Sequence, residues 1–210
     1  MDIRRCETHM MGSLERGLLA AVFLLYCFAA FIWPVWRVWR QTGHNPYVLP
    51  SGDDAYGYVA QGFRICLLGL AAYVLVQAIW PAIDNFSGAL AWLVDARVRI
   101  LGWSGLIFSL VWTVIAQYQM GKSWRVGIDF QQRTALVTSG IFGHTRNPIF
   151  LGMRISLVSL MFLLPNALTL ALWIAADILI QLQVRLEETF LEQQHGNRYA
   201  KYRAKVRRWF

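Results

Sequence analysis

IFLGMRISLVSLMFLLPNALTLALWIAADILIQLQ, residues 149–183, is the stretch whose reading decides the fold. It is too long for one membrane crossing, because a hydrocarbon core about 30 Å thick takes about 20 helical residues. Pro165-Asn166 breaks it near the middle. Proline has no N–H to continue a helix, and asparagine favours turns. The pattern predicts a tight helical hairpin, with 149–164 going in and 167–183 returning. Each leg carries one charge, Arg154 and Asp177, at nearly the same distance from the turn. A charge inside a bilayer needs a partner or a polar cavity. The expectation is that the two meet within salt-bridge or water-bridged reach. The alternative is that Arg154 snorkels or faces a ligand cavity.

Composition agrees with a membrane setting. Of 210 residues, 57% are hydrophobic and only 15% are charged, against roughly 25% charged in an ordinary soluble domain. Part of the outer surface must therefore face lipid. The net charge of +8 points to anionic headgroups in a chain this apolar. No basic run is interleaved with aromatics as a nucleic-acid groove would require. Cys6, Cys27 and Cys66 show neither CxxC spacing nor a His/Cys pattern, so no disulfide and no metal site is expected.

Outward from the hairpin, three more apolar runs cover residues 18–36, 58–80 and 100–119. The first closes on Trp33, Pro34 and Trp36, an interfacial belt. Arg4, Arg5 and Arg16 precede it. It is too long for a signal peptide and lacks a small-residue cleavage site, so it reads as a retained span. Residues 42–58 are a loop by composition, and 84–99 a mixed connection. The expected fold is an all-α integral membrane protein with five transmembrane helices, the last two a tight hairpin. Residues 1–210 form a single membrane domain: 1–119 hold three N-terminal spans, and 120–210 hold a loop, the hairpin and a tail. Within the loop, residues 124–129 and 134–138 have β-branched or aromatic character and suggest a short surface hairpin.

The tail beyond Arg185 is polar and helical. Arg198, Lys201, Lys205 and Arg208 recur at helical spacing, as do Tyr199, Tyr202, Val206 and Trp209. One face is basic and the other aromatic, which suits a helix lying on headgroups, or a solvated charged tail. Lys122, Arg125, Arg133, Arg146 and Arg185, with six more cations of the tail, place this loop and tail in the cytoplasm by the positive-inside rule. Arg4, Arg5 and Arg16 argue the other way.

Two clusters end up on that face. Gly140-Ile141-Phe142-Gly143-His144-Thr145-Arg146-Asn147-Pro148-Ile149-Phe150-Leu151-Gly152 enters the hairpin, and Arg185-Leu186-Glu187-Glu188 leaves it. Pro148 sits near the first helical position, where a missing N–H costs nothing. Gly152 lets a neighbouring backbone or a ligand come close. Arg146 offers planar donors suited to a carboxylate. Glu187 and Glu188 offer acceptors for hydroxyls, an amine or a sulfonium. On the residues alone, Arg146 at an interface is more often a headgroup anchor, and paired glutamates after a span are more often solvated.

Leu136-Val137-Thr138-Ser139-Gly140-Ile141-Phe142 followed by Arg146-Asn147-Pro148-Ile149-Phe150-Leu151-Gly152 resembles the pattern LVxxGxY…RHPxYxG. Glu187-Glu188, Leu191, Gly196, Tyr199, Tyr202, Val206 and Arg208-Trp209 resemble its partner block EExxL…G…Y…Y…VPRW, and residues 121–127 resemble a GxSWRxG segment. Together these mark the isoprenylcysteine carboxyl methyltransferase family, its bacterial members and the related phospholipid methyltransferases. Asn147 stands where the family has His, Phe150 for Tyr, His195 for an aromatic, and Arg207 for Pro. Asn147 can still donate and accept hydrogen bonds but does not transfer protons.

The resemblance implies S-adenosylmethionine as cofactor, held in a cytoplasm-facing cavity. Leu136, Val137, Gly140, His144, Arg146, Asn147, Pro148, Phe150, Gly152, Glu187, Glu188, Tyr199 and Tyr202 would hold it, with Arg146 and Glu187 catalytic. A lipophilic small acceptor would arrive laterally from the bilayer, in a bacterial inner membrane. A carboxylate acceptor needs no base; an amine must first lose a proton, to Glu187 or Glu188. His144 is a further base candidate or an interfacial anchor. Alternatives from other classes are an NADPH-dependent reductase of sterol-reductase type and a non-catalytic membrane adaptor. The acceptor and the oligomeric state are left open.

Overall fold

The computed structural model describes residues 11–48, 52–127 and 134–210. Among these residues the secondary structure is helical, with two isolated bridges and no strand. Four helices are long and apolar enough to cross a membrane: Ser13–Thr42 (α1), Ala55–Ile79 (α2), Ala96–Met120 with its continuation to Ser123 (α3), and Ala167–His195 (α5). Between them lies a shorter apolar helix of 16 residues, Pro148–Leu163 (α4). A polar helix, Asn197–Lys205 (α6), follows α5.

The first apolar run does not stop at Trp36. The helix continues through Pro34 to Thr42 and ends at Gly43 with φ +73°, a left-handed conformation that glycine adopts without strain. Pro34 cannot donate to the carbonyl of Ala30 and would collide with it in a regular helix. The chain widens into a π-turn over Phe28–Ile32, and the Nε2 of Gln117, buried on α3, donates to the Ala30 carbonyl at 2.7 Å. A helix interruption inside the apolar layer is thus satisfied by a neighbouring helix.

Polar caps set the starts of α2, α3 and α5. The carboxylate of Asp54 accepts from the Gly57 N–H and that of Asp95 from the Arg97 N–H, both at 2.7 Å. Asn166 and Thr169 form a reciprocal capping box at the start of α5. That box makes the turn at Pro165-Asn166 sharp enough for the hairpin.

Helices α3 and α4 make the most intimate contact of the bundle. A Cβ on Gly105 would collide with the Ser159 hydroxyl, and one on Gly152 with that of Thr113; on Gly102 it would lie 2.8 Å from Leu163 Cγ. Without a water-driven hydrophobic force inside lipid, small residues that let backbones approach are what hold helices together. Gly152 therefore serves the approach of α3. The two intramembrane charges meet: Arg154 Nε lies 2.6 Å from Asp177 Oδ1. The Trp209 ring covers the guanidinium, 4.6 Å from ring centre to Cζ.

At the hairpin-turn end, Arg16 is only 3% exposed and is bound by Asp84 at 2.7 Å and by Gln77 Oε1 at 3.0 Å. Asp84 also accepts from the Tyr73 hydroxyl, which accepts from Asn166. Arg16 is therefore an internal tie. Arg4, Arg5 and Cys6 lie outside the described residues, as do residues 128–133 of the expected surface hairpin. What is described of that hairpin is not strand: Val126 pairs in a parallel bridge with Tyr47, whereas residues 134–138 form none. Backbone groups of the loop found a nearer partner in the connection between α1 and α2. The aromatic face of α6 is likewise taken by protein. Tyr199 and Tyr202 are buried against Leu136, Leu191 and Val206, leaving Arg198, Lys201 and Lys205 exposed.

Candidate active site

The hairpin carries the start of α4 and the polar end of α5 to the same end of the bundle. Glu188, at 6% exposure, is the centre of what they build. Arg146 reaches it bidentately, Nε to Oε1 at 3.2 Å and NH2 to Oε1 at 3.0 Å and Oε2 at 3.2 Å. The Asn147 Nδ2 donates to Oε1 at 3.1 Å. Arg208 arrives from the tail, its NH2 donating to Oε2 at 2.8 Å. Charge-assisted, planar contacts of this type are the strong ones.

The tail crosses this cluster as a strap. The N–H of Arg146 donates to the Arg207 carbonyl at 3.0 Å, and the Thr145 hydroxyl to that of Arg208 at 3.0 Å. Arg146 NH1 donates to the carbonyls of Val206 at 2.6 Å and Arg203 at 3.4 Å. The donors of Arg146 are thereby engaged, and its side chain is 8% exposed. The guanidinium of Arg208 is the open one, with the side chain 35% exposed. Its contacts with Glu188 hold it more firmly protonated than usual. Two guanidiniums on one carboxylate leave the cluster with a net charge of +1.

Around it, Leu136, Tyr199 and Tyr202 form a buried aromatic patch. Burial pushes the Tyr202 phenol up to about 12, so it remains a donor at any physiological pH; it donates to the Phe142 carbonyl at 2.6 Å. The Tyr199 hydroxyl is also pushed up by burial, in the field of Glu188 and Arg146. It is enclosed and makes no hydrogen bond of good geometry, a rare state for a buried polar atom.

The remaining sequence-derived residues fall on two sides of this centre. Pro148 is buried at the first position of α4, its carbonyl accepting from Trp112 Nε1 at 2.9 Å. Val137 and Phe150 are half-buried. Gly140 turns with φ +61°, where a Cβ would strike the Gln119 carboxamide; that carboxamide accepts from the Ile141 N–H at 2.8 Å. His144 is exposed and touches the Gly140 carbonyl with Nδ1. Glu187 is half-buried on the turn of α5 that carries Glu188, within the electrostatic reach of Arg125. Gly152 faces Thr113 on α3.

Sequence reasoning left Arg208, Thr145 and Gln119 out of the site. Arg208 had a signal, its place in the Arg208-Trp209 motif pair. Thr145 and Gln119 had none, since each acts by touching a segment remote in sequence.

Among curated proteins, none matches the chain. Residues 98–198, however, match the model of the phospholipid methyltransferase family. This segment runs from the start of α3 through the loop and the hairpin into α6, and it holds Arg146, Asn147 and Glu188 together. Residues 98–198, just under half of the chain, are thus similar to the phospholipid methyltransferase family, which is related to the isoprenylcysteine carboxyl methyltransferases.

Proposed function

We propose that the protein transfers a methyl group from S-adenosylmethionine to the headgroup of a lipidic acceptor at the loop-and-tail end of the bundle. The observation that carries this is the convergence on Glu188 of Arg146 and Asn147, from 42 and 41 residues away, with Arg208 from the tail. The residues fit a zwitterionic donor. The spare positive charge and open guanidinium of Arg208 suit its carboxylate. The enclosed Tyr199 hydroxyl offers an unused donor, and the Leu136–Tyr199–Tyr202 patch offers an apolar wall for an aromatic base. When bound, this donor supplies an electrophilic methyl group on a sulfonium.

Phospholipid headgroups that accept methyl groups do so at an amine, which is an ammonium at neutral pH. Its lone pair becomes available only after a proton leaves. Glu187, adjacent to the cluster but not locked into it, is the residue assigned to accept that proton. Glu188 cannot do so while five donor groups from Arg146, Asn147 and Arg208 occupy it. Arg146 then acts by fixing Glu188 and the tail strap rather than by touching substrate. Neither the reductase nor the adaptor reading gains a specific observation.

The topology that goes with this reading has α4 as a fifth crossing, about 24 Å long at 1.5 Å per residue. Loop and tail lie in the cytoplasm with the donor. Arg16, tied inside the fold, no longer opposes that orientation.

The test is donor binding by calorimetry and transfer of labelled methyl to phosphatidylethanolamine in mixed micelles. Glu187→Gln is expected to lower kcat by about 10²–10⁴-fold while donor affinity is retained. Absence of donor binding by the folded wild-type protein would overturn the assignment.

A further inference from the structure

A concavity lies beside α1, at the loop-and-tail end of the bundle. It measures about 560 Å³, and Phe31, Val35, Trp36, Trp39, Tyr47 and Val126 are among the residues that line it. This volume is within the range of small-molecule pockets, about 300–1,000 Å³. Its wall starts in the π-turn Phe28–Ile32, and π-turns inside α-helices are frequently found at functional sites. The widened turn carries Phe31 and Ile32 at the groove, and the Pro34 and Gln117 arrangement holds it open.

The opposite wall is built deliberately. Val126 N–H donates to the Pro46 carbonyl and Val48 N–H to the Val126 carbonyl, both at 2.9 Å. These bonds clip the loop after α1 onto the segment that precedes the site. Arg125, the next residue back, lies within electrostatic reach of Glu187. The Arg125–Val126 stretch therefore lines the groove with Val126, and the charge of Arg125 is felt at Glu187. At the rim, the Arg40 guanidinium stacks over the Trp36 ring at 5.5 Å. Trp33 and Trp39 are 46% and 53% exposed beside it, a belt at headgroup height. An apolar trough under a cation suits an acyl chain under a phosphate.

We propose that this groove holds one acyl chain of the phospholipid acceptor, with Arg40 taking its phosphate, so that Arg125–Val126 separates the chain from the reacting headgroup. The inference rests on the methyltransferase reading for the word acceptor; occupancy of the groove by a phospholipid chain is tested without it.

Two measurements on the full-length protein separate the possibilities. In vesicles containing a phosphatidylethanolamine with a mid-chain diazirine, photolysis is expected to concentrate adducts on the peptide bearing Phe31 and Val35. Adducts spread evenly over the lipid-facing sides of the helices would overturn the groove as a site, whatever the activity. In micelles, Val35→Trp, which fills the trough, is expected to raise KM for dioleoyl-phosphatidylethanolamine about tenfold, about 1.4 kcal/mol of lost packing between chain and groove. Donor affinity and KM for the dihexanoyl lipid should stay unchanged. Equal changes for both lipids, or a parallel loss of donor binding, would overturn the acceptor role. Localised adducts with no methyl transfer by the wild-type protein would leave a lipid site standing and bring down the methyltransferase reading instead.

Discussion

The two ends of the bundle each bury an arginine against an acid, and they do it differently. At the hairpin-turn end, Arg16 and Asp84 are matched one to one, and Gln77, Tyr73 and Asn166 complete the network. At the loop-and-tail end, one carboxylate, Glu188, serves two guanidiniums, and the second of these, on Arg208, remains partly open. A compensated pair closes a fold. An uncompensated one leaves charge over for a ligand, at a cost that a purely structural contact has no reason to carry. The difference distinguishes the two ends of the bundle without reference to any motif.

The strongest way to break this contrast is at its hub. Glu188→Gln leaves two guanidiniums in contact with no counter-charge. A loss of about 3–5 kcal/mol of stability is expected, with donor binding abolished, read from the unfolding midpoint in micelles and from calorimetry. A midpoint unchanged from wild type would mean that the cluster does not hold the tail. Next, Arg16→Met strands Asp84, whose side chain is 20% exposed, and should cost about 3 kcal/mol or somewhat less. Here donor affinity should not move; if it fell in step with stability, the two ends would not be functionally distinct. The smallest effect on stability is expected from Arg208→Gln. Its side chain is 35% exposed, so the loss should stay within about 1 kcal/mol. Donor affinity should nonetheless fall about tenfold, equivalent to about 1.4 kcal/mol. An unaltered Kd would remove Arg208 from the carboxylate site.

The hairpin was legible because its signals are local. Pro165-Asn166 acts within one turn, and the apolar periodicity on either side acts within each helix. The approach of Arg154 and Asp177 followed from equal spacing about that turn. The end of α1 lies beyond Trp36 because Pro34 reads as a stop unless Gln117, 87 residues from Ala30, stands ready to donate to the orphaned carbonyl. The strand reading of residues 124–129 rested on side-chain character, whereas pairing of Val126 depended on where the loop after α1 lies. Within the site, Arg146 and Glu188 were found from their motifs. That Arg146 would have no donor left for a ligand, and that Arg208 would hold the open charge, depended on the path of the last five residues.

Sequence alone determined that this chain lives in a membrane, how its apolar segments are partitioned, and that two motif blocks return to one end. Each of these follows from hydropathy, helix geometry and turn chemistry, which act over short stretches of chain. Only the tertiary structure decided which charges are spent on one another and which remain available, which glycine approaches a helix, and where a π-turn opens a groove. Those outcomes depend on partners many residues away, and an ionic or hydrogen-bonding group has no fixed role until its partner's position and burial are set.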